Sequence, residues 1–372
     1  MKRGVFCFIL QRTTLTSVND LEMNIGLIHN IQSTGSALYR LEMPHAHLDN
    51  NYTGLRFYSA PNPFQISEQG WSSLDIMICS RMWGYAPVEI DHVRNLCNKH
   101  NVRLILDLDD YWVLESGHPM YGQYKQNGIS QIIRNHIKVV DHVICTNDYL
   151  ADKVRMLNPN VTVLPNCTYT FYEQFVPKPT ESDRVRFGWF GGAQHLEDVE
   201  LLQTSMGVLA DDQSLNGRHM IYLGGWNKNP AYDAYELIFS ANGKSENYSR
   251  IMAADIYSYV GGYNFVDVAL APLKDTTFNK CKSELKIIEA AAMGKALIAS
   301  DVYPYNEVLK NGENAFVIKE SRKRDWYKAI KMLTNDAELR KGLAINLQVD
   351  VNKRFNIDDW GKVRMELYQK LL

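Results

Sequence analysis

Paired cysteines at metal-ligand spacing are missing from this sequence, which excludes zinc ribbons and thioredoxin-like redox motifs. The six cysteines (Cys7, Cys79, Cys97, Cys145, Cys167, Cys281) are scattered through 372 residues with no CxxC among them. A chain of this length builds its core without disulfides. Cys7, Cys79 and Cys145 fall in strand-like apolar runs, where a buried, inert thiol is expected. Nor does any segment approach the roughly 18 apolar residues of a membrane-spanning helix. The N-terminal MKRGVFCFIL resembles a signal peptide, yet its apolar stretch is short and polar QRTT follows it. The expectation is a cytoplasmic protein with no transmembrane segment. A basic excess is missing too: 40 Lys+Arg face 42 Asp+Glu, for a net charge of −2, divided evenly about residue 178. That balance disfavours a nucleic-acid or membrane-surface binder, although an even total can conceal a local patch. Low-complexity tracts, short-period repeats and GxGxxG are absent as well.

What the sequence has is alternation. Short apolar runs recur at GVFCFIL (4–10), LRFYSA (55–60), LDIMICS (74–80), VRLILDL (102–108), HVICTN (142–147) and VTVLPN (161–166). Helical patterns such as 88–100 and 129–140 fall between them. Continuous apolar runs suit parallel strands covered on both faces, and β/α alternation predicts an α/β fold with a doubly wound sheet. The pattern lapses over 167–183, which contains two prolines and reads as a linker. It restarts at VRFGWF (185–190), HMIYLGG (219–225), NFVDVALAPL (264–273), KALIAS (295–300) and NAFVIK (314–319). Two Rossmann-like units of similar size are expected, joined near residue 175.

The richest stretch is FVDVALAPLKDTTFNKCKSELKIIEAAAMGKALIASD (265–301). Its strand, polar loop, helix and second strand make a βαβ unit, and ligands bind such sheets at the carboxyl ends of the strands. Ser283 is a good N-cap residue and predicts the helix start there, with Leu285, Ile288 and Ala292 on one face. The loop then brings Asn279, Lys282 and the Ser283 backbone to a helix N-terminus, where free amides and the dipole favour a phosphate. Glu289, two turns along on the Lys282 face, suits the paired hydroxyls of a ribose. A solvated charge pattern of Lys282, Lys286 and Glu289 competes with this reading on spacing alone. A second stretch, RFGWFGGAQHLEDVELL (186–202), runs a strand into Gly191–Gly192, which let a backbone approach a ligand or simply make a tight turn. His195 and Asp198 follow at i,i+3.

The order DVALAPL…FNKCKSELKIIEAAAMGKALIAS and then NGENAFVI (311–318) is similar to the nucleotide-sugar site of family 4, or group 1, glycosyltransferases. The similarity extends over nearly all of 185–372, from GWFGGAQHLED to a late helix at 358–372. Over 1–178 it is weaker, and rests on STGSALYRLEMP (33–44), MICSR (77–81), LDLDDYW (106–112) and TVLPN (162–166). The resemblance implies a GT-B fold: an acceptor domain over 1–175, a donor domain over 176–355, and a final helix, 356–372, packing back on the first. It implies a UDP- or GDP-linked sugar as donor substrate in a central cleft, an unidentified acceptor hydroxyl, retention of anomeric configuration, and no cofactor or bound metal. Of the family's two glutamates, the ribose-contacting one matches Glu289, whereas the sugar-contacting one corresponds to Cys281. Lys282–Ser283 stand where family amides meet the diphosphate. Asp109 and Asp110 stand near the place of a family His-Asp pair and are the candidate catalytic groups.

Other readings compete. Asp107-Leu108-Asp109 is a DxD, a metal-binding signature of another glycosyltransferase fold. His45 and His47 lack a third ligand. Arg40 and Arg81 are candidate anion partners in the cleft, or structural ion pairs. Trp226 borders a base or sugar pocket, or packs in the core, and the aromatic run 168–175 stacks on sugars or between domains. A transferase acting on a saccharide, lipid-linked or protein acceptor is the leading expectation. Phage-type modification of hydroxylated DNA bases and non-catalytic nucleotide-sugar binding are the alternatives.

Overall fold

Among the described residues, twelve strands, nearly all without an exposed residue on either face, are sorted into two separate parallel sheets. A computed structural model describes residues 22–29 and 34–372. The first sheet comprises β1 (Met23–Ile28), β2 (Leu55–Ala60), β3 (Ile76–Ser80), β4 (Arg103–Leu108), β5 (His142–Cys145) and β6 (Val161–Val163). The second comprises β7 (Val185–Phe190), β8 (His219–Trp226), β9 (Tyr248–Met252), β10 (Val268–Ala271), β11 (Ala296–Ser300) and β12 (Phe316–Ile318). All pairings between named strands are parallel. Continuous apolar runs such as Ile76–Cys79 and Ala296–Ala299 are therefore buried on both faces, beneath crossover helices.

The order is β2-β1-β3-β4-β5-β6 in the first sheet and β12-β11-β10-β7-β8-β9 in the second. The second is the 3-2-1-4-5-6 order of a dinucleotide-binding fold, with its reversal between β7 and β10. In the first sheet the order reverses between β1 and β3. Ligand crevices open beyond the carboxyl ends at such reversals, so β7 and β10 present one and β1 and β3 the other.

Most strand expectations hold to within a few residues, and LRFYSA and VRFGWF match to the residue. β1 and β9 were not expected. GVFCFIL, with Cys7, lies outside the described residues. Segment 167–184 is irregular apart from a short 3-10 turn, Glu173–Phe175. Tyr169 and Phe175 of its aromatic run are buried in a core cluster dominated by the second half, while Phe171 is exposed.

The last helix, Ile357–Leu371, returns to the first half. Its Met365, Leu367 and Tyr368 join Met23, Ile25, Ile76 and Ile105 in one apolar cluster, and Arg103 Nε donates to the Leu371 carbonyl at 2.7 Å. The histidine pair is part of this junction. His45 Nδ1–H donates to the Leu41 carbonyl (2.6 Å) and Nε2 accepts from Tyr368 Oη (2.8 Å), while burial pushes the imidazole down to about 3. His47 lies 3.6 Å from Asp358. Both rings are fixed by packing. Among the described residues no helix is long and apolar enough to cross a membrane, and no cluster of three metal-ligating side chains occurs. The five described cysteines are free and buried.

Candidate functional site

Loops beyond β7 and β10 form one wall of the site. Asp198 is their hub: its Oδ2 meets His195 Nδ1 at 2.8 Å, and its Oδ1 accepts from the Lys274 amide and from Asn279 Nδ2, each at 2.8 Å. The second Asn279 amide hydrogen goes to the Lys274 carbonyl at 3.0 Å. Asn279 thus braces the loop after β10 against the loop after β7, and its amide hydrogens do not face a donor. His195 serves the same junction; burial pushes its imidazole down to about 4, so it is neutral at physiological pH. Asp198, which the sequence offers only as the i,i+3 neighbour of His195, is the residue holding both loops.

The adjacent glycines differ. A Cβ on Gly191 would lie 2.4 Å from the buried Trp189 ring, so this position requires glycine for packing. A Cβ on Gly192 would meet nothing within 4 Å, and this residue is exposed toward solvent. Gly192 therefore leaves the backbone open to a ligand.

The helix after β10 begins later than expected. Leu285–Ala292 is capped by Glu284, with no side-chain cap, and Ser283 is not the N-cap. The Ser283 hydroxyl is instead engaged across the cleft, accepting from Asn166 Nδ2 at 2.9 Å. Asn147 Nδ2 grips the same loop through the carbonyls of Lys280 (3.1 Å) and Lys282 (2.8 Å). Cys281 between them is fully buried among first-half residues such as Leu108, Cys145 and Leu150, and burial pushes its thiol up to about 12. Cys281 is thus an apolar plug into the opposite half. Lys282 is half-buried, its Nζ 4.8 Å from the Phe278 ring centroid and without an ion pair among the described residues.

Leu285 packs half-buried on the core, with Ile288 and Ala292 fully inside. Glu289 is 3 % exposed. Its Oε1 accepts from Tyr39 Oη (3.1 Å) and Tyr259 Oη, and its Oε2 accepts from Tyr263 Oη (3.1 Å). Burial pushes this carboxyl up. Lys286 is not on a solvated face: its Nζ donates to the Phe190 carbonyl at the end of β7 and lies 5.4 Å from the Trp189 ring centroid. Burial lowers its ammonium, as expected for a cation taken out of water. Sequence spacing missed it because Lys286–Glu289 also fits a surface i,i+3 pair.

The facing wall comes from the first half. Asp109, beyond β4, accepts from the Ser36 hydroxyl and pairs with Arg81 at 3.6 Å. Arg81 follows β3 at φ 60°, a left-handed conformation strained for a side-chain-bearing residue. Its guanidinium reaches Tyr124 Oη at 2.9 Å. The Asp110 carboxylate makes no hydrogen bond among the described residues. Its charge acts on Cys281 and on His118, and Lys282 acts on the same histidine. His118 packs edge-on against Phe278, 4.8 Å between centroids, and its Nδ1 accepts the Met120 amide at 3.1 Å, which leaves the ring proton on Nε2. His118 of the first half and Lys282 of the second thus both lie against the Phe278 ring. His118 was not singled out from sequence, because only the closing of the two halves brings it to Phe278.

Two of the competing readings are decided here. Arg40 is not in the cleft: it is 1 % exposed, with Nε and Nη2 on the Asp107 carboxylate at 2.8 and 3.2 Å and Nη1 on the Leu164 carbonyl at 2.7 Å. The same pair removes Asp107 from the DxD reading, because its carboxylate is turned to Arg40 rather than to a shared site with Asp109. Trp226 ends β8 half-buried, with the Arg250 guanidinium 4.5 Å from its ring centroid and its indole N–H without a partner.

Residues 285–348 match the family model of glycosyl transferases, group 1. No curated protein matches in sequence. Among solved structures, HepE of Anabaena, determined with UDP and glucose, aligns with a TM-score of 0.65 at 13% identity, over 94% of this chain and 100% of that one. Sucrose-phosphate synthase of Thermosynechococcus elongatus aligns with a TM-score of 0.67 at 12% identity, over 94% and 99%. TarM of S. aureus aligns with a TM-score of 0.60 at 13% identity, over 82% of this chain and 57% of that one. At such identities the likeness shows the fold, GT-B, and residues 285–348 carry the group 1 glycosyltransferase pattern.

Proposed function

We propose, for a GT-B chain with a group 1 glycosyltransferase segment, transfer of a sugar from a nucleotide-diphosphate sugar to an acceptor hydroxyl, with retention at the anomeric carbon. The observation that carries this reading is the loop bearing Lys282, which first-half residues meet across the cleft, Asn147 at the Lys282 carbonyl (2.8 Å) and His118 at the Phe278 ring (4.8 Å), beside the switch point between β7 and β10. Lys282 supplies a cation to the departing diphosphate, whose negative charge grows as the glycosidic bond breaks. Glu289 suits the ribose, as an ionised carboxylate accepts hydrogen bonds from hydroxyls. Asp110 is the free carboxylate beside the reacting centre: it orients the acceptor hydroxyl and stabilises an oxocarbenium-like carbon electrostatically. Asp109, held by Ser36 and Arg81, fixes the loop that presents it. HepE was solved with UDP, which favours a uridine donor here.

The test is a thermal-shift panel of UDP- and GDP-sugars, followed by product analysis with the stabilising donor. A rise in midpoint with one nucleotide class and an α-linked product from an α-linked donor support the reading. Inverted product overturns retention, and no response to any donor overturns the site. Chelator is expected to leave transfer intact; loss restored by Mn²⁺ would contradict this account of the carboxylates. Burial of Cys281, at the place of the family's sugar-contacting glutamate, favours a second reading as a non-catalytic binder. Tight nucleotide binding without transfer or donor hydrolysis is its signature.

A further inference from the structure

Glu289 is closed in by three phenols, and one of them belongs to the opposite half. Tyr259 and Tyr263 sit on the 3-10 helix Tyr259–Phe265, within the second half itself. Tyr39 instead lies on a single stretch of π-helix, Ala37–Glu42, in the first half. Its hydroxyl reaches Glu289 Oε1 at 3.1 Å and lies 2.7 Å from the Tyr259 hydroxyl, which binds the same oxygen. A second contact between the halves lies alongside, Tyr257 Oη donating to Glu42 Oε2 at 2.9 Å. Leu38, Tyr39 and Met43 are buried in the cluster that contains Val260, Tyr263, Ile287 and Ile288. With Glu289 3 % exposed and Tyr39 1 % exposed, no nucleoside reaches the carboxylate in this arrangement.

A carboxylate offers about four lone-pair sites. The three phenols close over both oxygens, Tyr39 and Tyr259 sharing Oε1 and Tyr263 taking Oε2, and the vicinal hydroxyls of a ribose need two of these sites. At least one phenol must leave. Tyr259 and Tyr263 are built into the packing of the second half, so their departure would disturb its core. Tyr39 belongs to the other half, so parting of the halves withdraws it from Glu289 without unpacking Tyr259 or Tyr263. Stretches of π-helix recur at functional sites, where they set one side chain out of the regular register.

We propose that Tyr39 is a latch: its hydroxyl takes the place of a ribose hydroxyl on Glu289, so that closure of the halves and nucleotide entry compete for one carboxylate. This deepens the assignment of Glu289 as the ribose acceptor and rests on it. The chemical class that opens the latch is a nucleoside diphosphate with a free 2′,3′-diol.

The test is calorimetric titration of the full chain with UDP and with GDP. Wild type is compared with Tyr39→Phe, which keeps the ring packed 6.2 Å from Tyr169 and from Phe175, and with Glu289→Ala. Glu289→Gln, which keeps one oxygen for the phenols, replaces Glu289→Ala if that variant melts early. Loss of one hydrogen bond that competes with the ligand is expected to tighten nucleotide binding about three- to tenfold in Tyr39→Phe. The Glu289 variants are expected to lose binding. If they lose it while Tyr39→Phe binds no tighter, the latch is overturned and the ribose assignment stands. Normal binding by the Glu289 variants, or none by any form, overturns the ribose assignment and the latch with it.

Discussion

Asp107 and Glu289 are buried to the same degree, 2 % and 3 % exposed, one in each half, yet they have opposite kinds of neighbour. Asp107 receives a guanidinium on both oxygens, and the remaining Arg40 hydrogen bonds go to Leu164 and Asn166 of its own half. Glu289 receives three neutral phenols and no cationic donor. A buried carboxylate with a matched, fully hydrogen-bonded cation is framework, because removing either partner strands the other. One hydrogen-bonded only by neutral donors, with its nearest cation, here Lys286, acting without a bond to it, is less fully compensated, and such groups concentrate where ligands bind. Arg40 and Lys282, both candidate anion contacts in the sequence, divide along the same line: one is neutralised inside the fold, the other keeps an unpaired ammonium at the cleft.

The most direct way to break this contrast is Arg40→Ala. It leaves Asp107 buried without a counter-charge and is expected to cost about 3–5 kcal/mol in urea unfolding. Arg40→Met combined with Asp107→Leu should recover most of that loss. A neutral single mutant would mean that Asp107 carries no charge, and the contrast with Glu289 would vanish.

Glu284 offers a second, somewhat smaller effect. It is 4 % exposed, its Oε2 has no hydrogen-bond partner, and burial pushes its carboxyl up to about 7 from 4.5. A carboxyl raised on folding contributes its stability below the unfolded value. That contribution is lost as pH climbs from about 4.5 to about 7, by at most about 3 kcal/mol. Glu284→Gln should flatten this part of the pH–stability profile and melt higher than wild type at pH 8. Melting curves at pH 5 and pH 8 decide it; parallel curves for the two proteins would show that Glu284 is ionised throughout.

Lys282→Ala sharpens the contrast from the other side. Deleting an unpaired cation should leave the melting temperature of the free protein nearly unchanged. Donor binding should weaken about ten- to hundredfold, the worth of a charge-assisted hydrogen bond. Donor bound as tightly as by wild type would remove Lys282 from the site.

Local pattern carried much of this fold. VRFGWF and LRFYSA are uninterrupted and bounded by polar residues, and both are strands as written. β1 escaped because Asn24 and Gly26 break the apolar run MNIGLI, and β9 because YSRIM has Arg250 at its centre. The site was legible in part. Lys282 and Glu289 lie on one short helix and its approach, so their spacing is informative. Ser283 was misjudged as a helix cap because its true partner, Asn166, is 117 positions away. Arg40 stayed open between cleft and ion pair for the same reason, with Asp107 67 positions distant. Local periodicity reports which face of an element is buried, but not what another half of the molecule brings to that face.

The closing helix, Ile357–Leu371, gives the first half an unusual dependence. Its Tyr368 completes the hydrogen bonds of His45, and its apolar face covers β1, β3 and β4. The first half therefore cannot finish its own core until Ile357–Leu371 has left the ribosome. A nascent chain halted after β12 would have its second sheet whole and its first still open along one side.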